Sequence, residues 1–221
     1  MMTESQKSKL AEYTAAKASC PARERLAALF DDGVFTETAS GRNEGVVTAY
    51  GYINGCPAYA FSQDSTVSKG AVSRAHSEKI CRMFDLAAKN GVPVVGIYDS
   101  CGAFIEDGAD ALNAYSEILL EAGNLSGVVP TVSVVSGVCA GSMAVIACAA
   151  DYVVMTEKAE LYAAAGGDAG VKAAVESGAV SASAADDAEA MESVRKFLSL
   201  MPQNNLSPLP EFEFDAPAAA S

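Results

Sequence analysis

The stretch from Pro130 to Thr156, PTVSVVSGVCAGSMAVIACAADYVVMT, constrains this chain more than any other. Val132-Ser-Val-Val135 is an apolar, β-branched run and predicts a buried strand. A turn of small residues, Ser136 to Ser142, follows it. Met143 to Ala150 are helix-compatible and almost all apolar, which predicts a helix buried on every side. Asp151 ends that helix, and Tyr152 to Met155 read as a second strand. Strand, small-residue turn and buried helix in this order belong to an α/β core. A buried helix that begins at glycine also presents free backbone N–H groups and the positive end of its dipole, with no side chain in the way. Such a place can hold a bound anion, or an oxyanion that develops during a reaction. The same small residues would serve close packing of helix on strand, and the stretch alone leaves both uses open.

The rest of the chain fills in the core. Residues 4 to 30 carry Ala-rich helical periodicity with a break at Cys20-Pro21, and Asp32-Gly33 reads as the close of that helix. Arg23, Glu24 and Arg25 read as a solvated charged face. Two β-rich runs flank Ile53-Asn-Gly-Cys56, and Asn54-Gly55 between them is a hairpin turn. Ser62 to Ala71 is a polar loop with one cation, Lys69. Helical spacing of Ile80, Met83, Phe84 and Ala87 predicts a helix over Val72 to Asn90, ended by Gly91. It carries His76, the only histidine, with no visible metal or triad partner and hence a structural or surface role. Pro93 to Tyr98 is a further buried strand, running into a second small-residue turn, Asp99-Ser-Cys-Gly-Ala103. Glu106, Asp107 and Asp110 lie around the start of the next helix, Ala111 to Ala122, where negative charge is favourable. Lys158 to Ala190 is rich in Ala, Gly, Ser and acid, and Ala188 to Leu200 reads as a closing helix. Residues 1–208 are expected to form one domain, with 209–221 as a Pro- and acid-rich tail.

Both small-residue turns follow buried strands and precede helices, the edge of an open α/β sheet where ligands bind. The expected fold class is therefore α/β, a mixed sheet with helices packed against it. The formal charge of −13 disfavours non-specific nucleic-acid binding, which needs a basic face. Backbone N–H groups and a few cations can still receive a local anion. No run reaches the roughly 18 apolar residues of a membrane span, and the polar N-terminus has no apolar signal core, so the expectation is cytoplasmic. Six cysteines without a CxxC pair argue against a zinc ribbon, and no metal is expected. Reduced, buried thiols are the default.

Two longer runs, HSEKICRMFDLAAKNGVPVVGIYDSCGAFIEDG and GVVPTVSVVSGVCAGSMAVIACAADYVVMTEKAELY, resemble the carboxyltransferase subunits of biotin-dependent acyl-CoA carboxylases and decarboxylases, members of the crotonase superfamily. ARERLAALFDDGVFTE and RKFLSLMPQNN extend the resemblance over roughly residues 20 to 208. It is a resemblance to the N-terminal, CoA-binding half of a two-lobed enzyme. It implies a crotonase-like ββα spiral in which an acyl-CoA thioester carbonyl rests in an oxyanion hole. One donor would come from Gly102-Ala103 and the other from Gly141-Ser142. CoA would lie along Ser68-Lys69-Gly70-Ala71, with Lys69, Arg42 and Arg74 as phosphate partners. Biotin on a carrier protein would exchange the carboxyl group and take the substrate's α-proton, so no protein base is required. A second subunit resembling the C-terminal lobe, in a larger oligomer, would complete the site.

The sequence departs from the family at both turns. A common SGGAR is Ser100-Cys-Gly-Ala-Phe104 here, and CAGG is Cys139-Ala-Gly-Ser142. Backbone donors survive, because every residue but proline carries an N–H. Cys101, Phe104 and Ser142 add bulk where a ligand approaches, and packing is the expected role of Cys101 and Cys139. Acetyl-, propionyl-, methylmalonyl- and glutaconyl-CoA all remain open as substrates. Two other functions compete: a stand-alone crotonase-like hydratase, isomerase or thioesterase with Glu106 or Asp107 as base, and a non-catalytic scaffold subunit.

Overall fold

The computed structural model describes residues 20–39, 44–162 and 167–212. Helix α1 is Pro21–Leu29, strands β1, β2 and β3 are Phe35–Glu37, Val46–Ile53 and Cys56–Gln63, and helix α2 is Arg74–Asn90. Strand β4, Val94–Ser100, leads to α3, Ala109–Leu125, and β5, Thr131–Ala140, leads to α4, Ser142–Cys148. Then come β6 Tyr152–Thr156, β7 Glu160–Tyr162, α5 Val171–Glu176, β8 Ala182–Ala184 and α6 Asp187–Leu200. One sheet runs in the order β1-β2-β3-β4-β5-β6-β8, with β7 pairing β5 off that path. Its first three strands are antiparallel and the rest parallel, so the sheet is mixed, as expected.

Period-2 alternation distributes the strands' side chains to two cores. Val94 and Tyr98 of β4 join Ile80, Met83 and Phe84 of α2, Ile118 of α3 and Met143 of α4 on one face. Val95 and Ile97 face the other way, onto Leu26 and Leu29 of α1 and Met191 and Val194 of α6. The sheet is therefore covered on both faces, which is why β4 and the first half of β5 read as continuous apolar runs. The Asn54-Gly55 hairpin forms as expected, both residues at positive φ, and their N–H groups donate to the Asp31 carboxylate. Gly91 caps α2 in the left-handed conformation.

Several local expectations need correction. Residues 4–19 of the first expected helix lie outside the described residues; α1 starts at Pro21, where a proline's missing N–H costs nothing. It ends at Leu29, and Asp32-Gly33 belongs to a separate 3-10 turn. Arg23 and Arg25 are not a solvated face. Arg23 pairs with Glu37 at 2.8 Å, and Arg25 bridges Asp99 and Asp187 at 3.0 and 3.1 Å. The expected turn from Ser136 onward is strand as far as Ala140, because Val138–Ala140 gain a partner in β7. Helix α4 is shorter than expected and not buried all round: Val145 is 53% exposed. At seven residues it supplies local N–H groups rather than a large dipole. Among the described residues, no helix is long and apolar enough to cross a membrane.

His76 is structural. It is buried, with Nδ1 3.1 Å from the Glu44 carbonyl and Nε2 3.3 Å from Gln63 Nε2. The Asp99 N–H donates to Gln63 Oε1, so the Gln63 amide donates to His76 Nε2 and the imidazole is neutral, protonated on Nδ1. Burial lowers its pKa from 6.5 to about 3. The unfolded chain thus binds a proton near pH 6.5 that the folded chain refuses until near pH 3. The stabilisation is complete above pH 6.5 and is lost as pH falls through that window, by at most about 1.4 kcal/mol per unit. Between pH 6.5 and 5, wild type is expected to lose roughly 1 to 2 kcal/mol more than His76→Gln, read from urea midpoints. Parallel losses in the two proteins would show that His76 does not titrate this way.

Candidate functional site

Strands β4 and β5 carry both small-residue turns to the same edge of the sheet. Ser100 and Cys139 are register partners, so Ala103 and Ser142 each lie three residues beyond a paired position. In the first turn Gly102 has φ +123, and at the second Gly141 has φ +66 and ψ −135. An added Cβ would meet nothing within 4 Å at either position. Glycine is required there by the backbone, not by crowding.

The hydrogen bonds of the first turn are nearly all taken. Cys101 N–H donates to the Lys69 carbonyl at 3.1 Å, Gly102 N–H to Ser100 Oγ at 3.3 Å and Phe104 N–H to the Val72 carbonyl at 3.0 Å. Among the described residues, the Ala103 N–H is the amide of this turn left without an acceptor. In the second, Gly141 N–H donates to the Tyr162 carbonyl at 3.0 Å, while Ser142 opens α4 and its N–H has no intrahelical acceptor. Sequence reasoning named the two dipeptides; the hydrogen bonds single out one amide in each.

Both turns line one cleft of about 480 Å³. Cys101, Gly102 and Ala103 form one side and Ala140, Gly141 and Ser142 another, with Ala111, Leu112 and Tyr115 of α3 as an apolar wall. Among the described residues the lining contains no carboxylate, imidazole or ammonium group. Glu106 is exposed outside it, and Asp107 accepts the Arg74 N–H at 3.0 Å, so it caps α2 rather than the helix that follows it. Neither residue expected as a base in the hydratase reading lines this cleft.

The loop expected to carry CoA sits against the first turn. Ser68, Lys69 and Gly70 form a left-handed turn with φ of 47, 55 and 68°. Val72 N–H donates to the Gly102 carbonyl, which ties this loop to the first turn. Ser68, Ala71 and Arg74 line a second hollow of about 420 Å³, with Phe104 also on its wall. Arg74 is paired with Glu78 at 3.0 Å, and Glu44, Glu78 and Asp107 share the hollow, an unfavourable seat for phosphate. Lys69 is exposed and forms no ion pair among the described residues. Arg42 lies outside the described residues.

Of the two cysteines expected to pack, Cys139 does: it is fully buried, and burial pushes its thiol pKa well up. Cys101 is exposed on the cleft wall, and Cys56 is exposed as well, contrary to the default of buried thiols. Brief treatment with N-ethylmaleimide is expected to label Cys101 and leave Cys139 untouched, by peptide mass spectrometry. An acyl-CoA ester should protect Cys101 and not Cys56; equal labelling of both with and without ester would contradict occupancy of this cleft. Among the described residues no group of three His, Cys, Asp or Glu is placed to hold a metal.

The carboxyl transferase domain family matches residues 15–220, and this chain belongs to that family. Methylmalonyl-CoA decarboxylase subunit alpha of Propionigenium modestum is 36% identical over 222 residues, covering 86% of this chain and 43% of that one. Transcarboxylase 12S, described as a hexamer with hydrolysed methylmalonyl-coenzyme A bound, matches with a TM-score of 0.85 and 30% identity. The match covers 100% of this chain and 52% of that one. One chain of the malonate decarboxylase heterodimer of Pseudomonas matches with a TM-score of 0.72 and 27% identity, over 80% of this chain and 84% of its own length. The chain thus spans about half the length of the first two and most of the third. The fold is the crotonase-like one of these carboxyltransferases.

Proposed function

We propose that this chain is the acyl-CoA half-site of a biotin-dependent carboxyltransferase, acting on propionyl- or methylmalonyl-CoA. The observation that carries the reading is that two amides without acceptors among the described residues, Ala103 and Ser142, line one cleft. In this reading the thioester carbonyl accepts from both. As the α-carbon loses its carboxyl group or proton, negative charge moves onto that oxygen, and each aimed donor stabilises it by about 3 kcal/mol. The apolar wall of α3 would flank the acyl group. Lys69 is the cation carried forward for a CoA phosphate, and Ser68, Gly70 and Ala71 shape the loop beneath it. Biotin, brought on a carrier protein, would supply the carboxyl group and a nitrogen able to accept the α-proton. The absence of a carboxylate, imidazole or ammonium group from the described lining supports that division of labour.

A second lobe, presented by a partner subunit, would face this cleft and hold the biotin. The support is the Pseudomonas decarboxylase heterodimer, in which a chain of comparable length works beside another. The six cysteines are all free, which suits a reducing, cytoplasmic setting. The test is reconstitution with the biotin carrier and the partner lobe, following labelled carboxyl from methylmalonyl-CoA to biotin. Transfer that needs all three proteins supports the proposal. Turnover of an acyl-CoA by the chain alone, or its isolation from its source as a monodisperse monomer, would count against it.

A further inference from the structure

The two strands that deliver the turns do not run evenly side by side. From Tyr98↔Val135 to Ser100↔Cys139, β4 advances two residues while β5 advances four, so β5 bulges at Ser136-Gly137-Val138. Asp99 sits at the mouth of this bulge. A Cβ on Gly137 would lie well under 3.0 Å from the Asp99 carboxylate, so the carboxylate lies directly on the Gly137 backbone. Ser65 Oγ donates to the same carboxylate at 2.7 Å. Arg25, reaching from α1, donates to Asp99 Oδ2 at 3.0 Å and to Asp187 Oδ2 at 3.1 Å. Asp187 in turn accepts from Ser136 Oγ. The guanidinium thus grips β4 through Asp99 and the β5 bulge through Asp187. The Arg25 and Asp99 side chains are only 14% and 10% exposed, so the pair is little screened by solvent.

We infer that Arg25 and Asp99 are positioning residues that set the spacing of the Ala103 and Ser142 amides by holding the β5 bulge against β4. Neither side chain lines the cleft, so neither is placed to touch substrate. Their effect passes from Asp99 through the end of β4 and the first turn to Ala103, and along the end of β5 to Ser142. Oxyanion stabilisation depends steeply on such spacing, because donors must point where charge develops. The inference rests on the proposed function for its kinetic consequence and on the fold alone for its geometric one.

The test is Asp99→Asn in the assembled complex. The amide keeps the volume over Gly137, and Asp187 still neutralises Arg25, so the fold is little disturbed. The expected result is a kcat lowered at least about tenfold with the acyl-CoA KM within about twofold of wild type. The Ala103 and Ser142 amide resonances are expected to shift while those of the Asn54-Gly55 hairpin stay. Arg25→Lys, which keeps the charge and loses the fork, should show the same split, and carries the test if Asp99→Asn does not fold. Unchanged kcat and unchanged amide resonances in both variants would overturn the inference. Failure of the wild-type complex to transfer carboxyl would overturn the proposed function instead, and the amide resonances would still decide this point.

Discussion

Replacing Ser142 by proline is expected to slow carboxyl transfer by about a hundred- to a thousandfold, the usual effect of deleting one oxyanion donor. The substitution removes an N–H and little else. Ser142 is the first residue of α4, a position where the helix makes no use of that N–H and where proline's fixed φ suits the backbone. The preceding Gly141, already in a conformation reserved for glycine, tolerates the added ring better than any other residue type. Ser142→Ala keeps the amide and is expected to stay within about threefold of wild type. Circular dichroism and a melting curve establish that the proline variant is folded. A folded Ser142→Pro with wild-type kcat would remove this amide from the mechanism.

Gly70→Ala is expected to have the largest effect on stability, about 3 kcal/mol or more. Its φ is +68, and a Cβ would lie well under 3.0 Å from the Asp99 carbonyl oxygen, with Ser100 Cα at 3.1 Å behind it. Both obstacles are backbone of β4, a strand fixed between β3 and β5, so neither can swing aside as a side chain could. Gly102 and Gly141 also have positive φ but face open space, and their alanine variants should cost only about 1–3 kcal/mol. Because a domain is stable by about 5–15 kcal/mol in all, urea unfolding separates these cases readily. Gly70→Ala should also weaken acyl-CoA binding, since the displaced loop is the one proposed to carry CoA. Equal destabilisation by all three alanines would mean that crowding at Gly70 is not what its backbone enforces.

The features that were legible in the sequence are those decided locally. Asn54-Gly55 forces a hairpin wherever β-runs flank it, Gly91 caps α2, and the apolar runs of β4 and β6 have no alternative to burial. The strand–turn–helix order placed both turns on one edge, and the fold delivers them to one cleft. What could not be read depends on distant partners. Ser136 to Ala140 look like turn residues, and they extend as strand because Val138–Ala140 pair with Glu160–Tyr162 and Cys139 pairs with Ser100. Arg25 looks like part of a charged surface, and its burial follows from Asp99 and Asp187, 74 and 162 residues away. Asp107 looks like first-turn acid for α3 and instead caps α2, 33 residues before it. The sequence does mark the Arg25 bridge by position: Arg25 shares a helix face with Ala22 and Leu29, and a charge on a buried face needs a counter-charge.

The central claim is that the Ala103 and Ser142 amides recognise a thioester carbonyl. Calorimetric titration with propionyl-CoA and with its thioether analogue, S-propyl-CoA, isolates that oxygen. The thioester is expected to bind at least about tenfold more tightly, roughly the strength of one well-made hydrogen bond. The difference should shrink in Ser142→Pro, which leaves only the Ala103 donor. Equal affinity of wild type for the two ligands would contradict the claim, because CoA would then be held without any recognition of the carbonyl on which the chemistry depends.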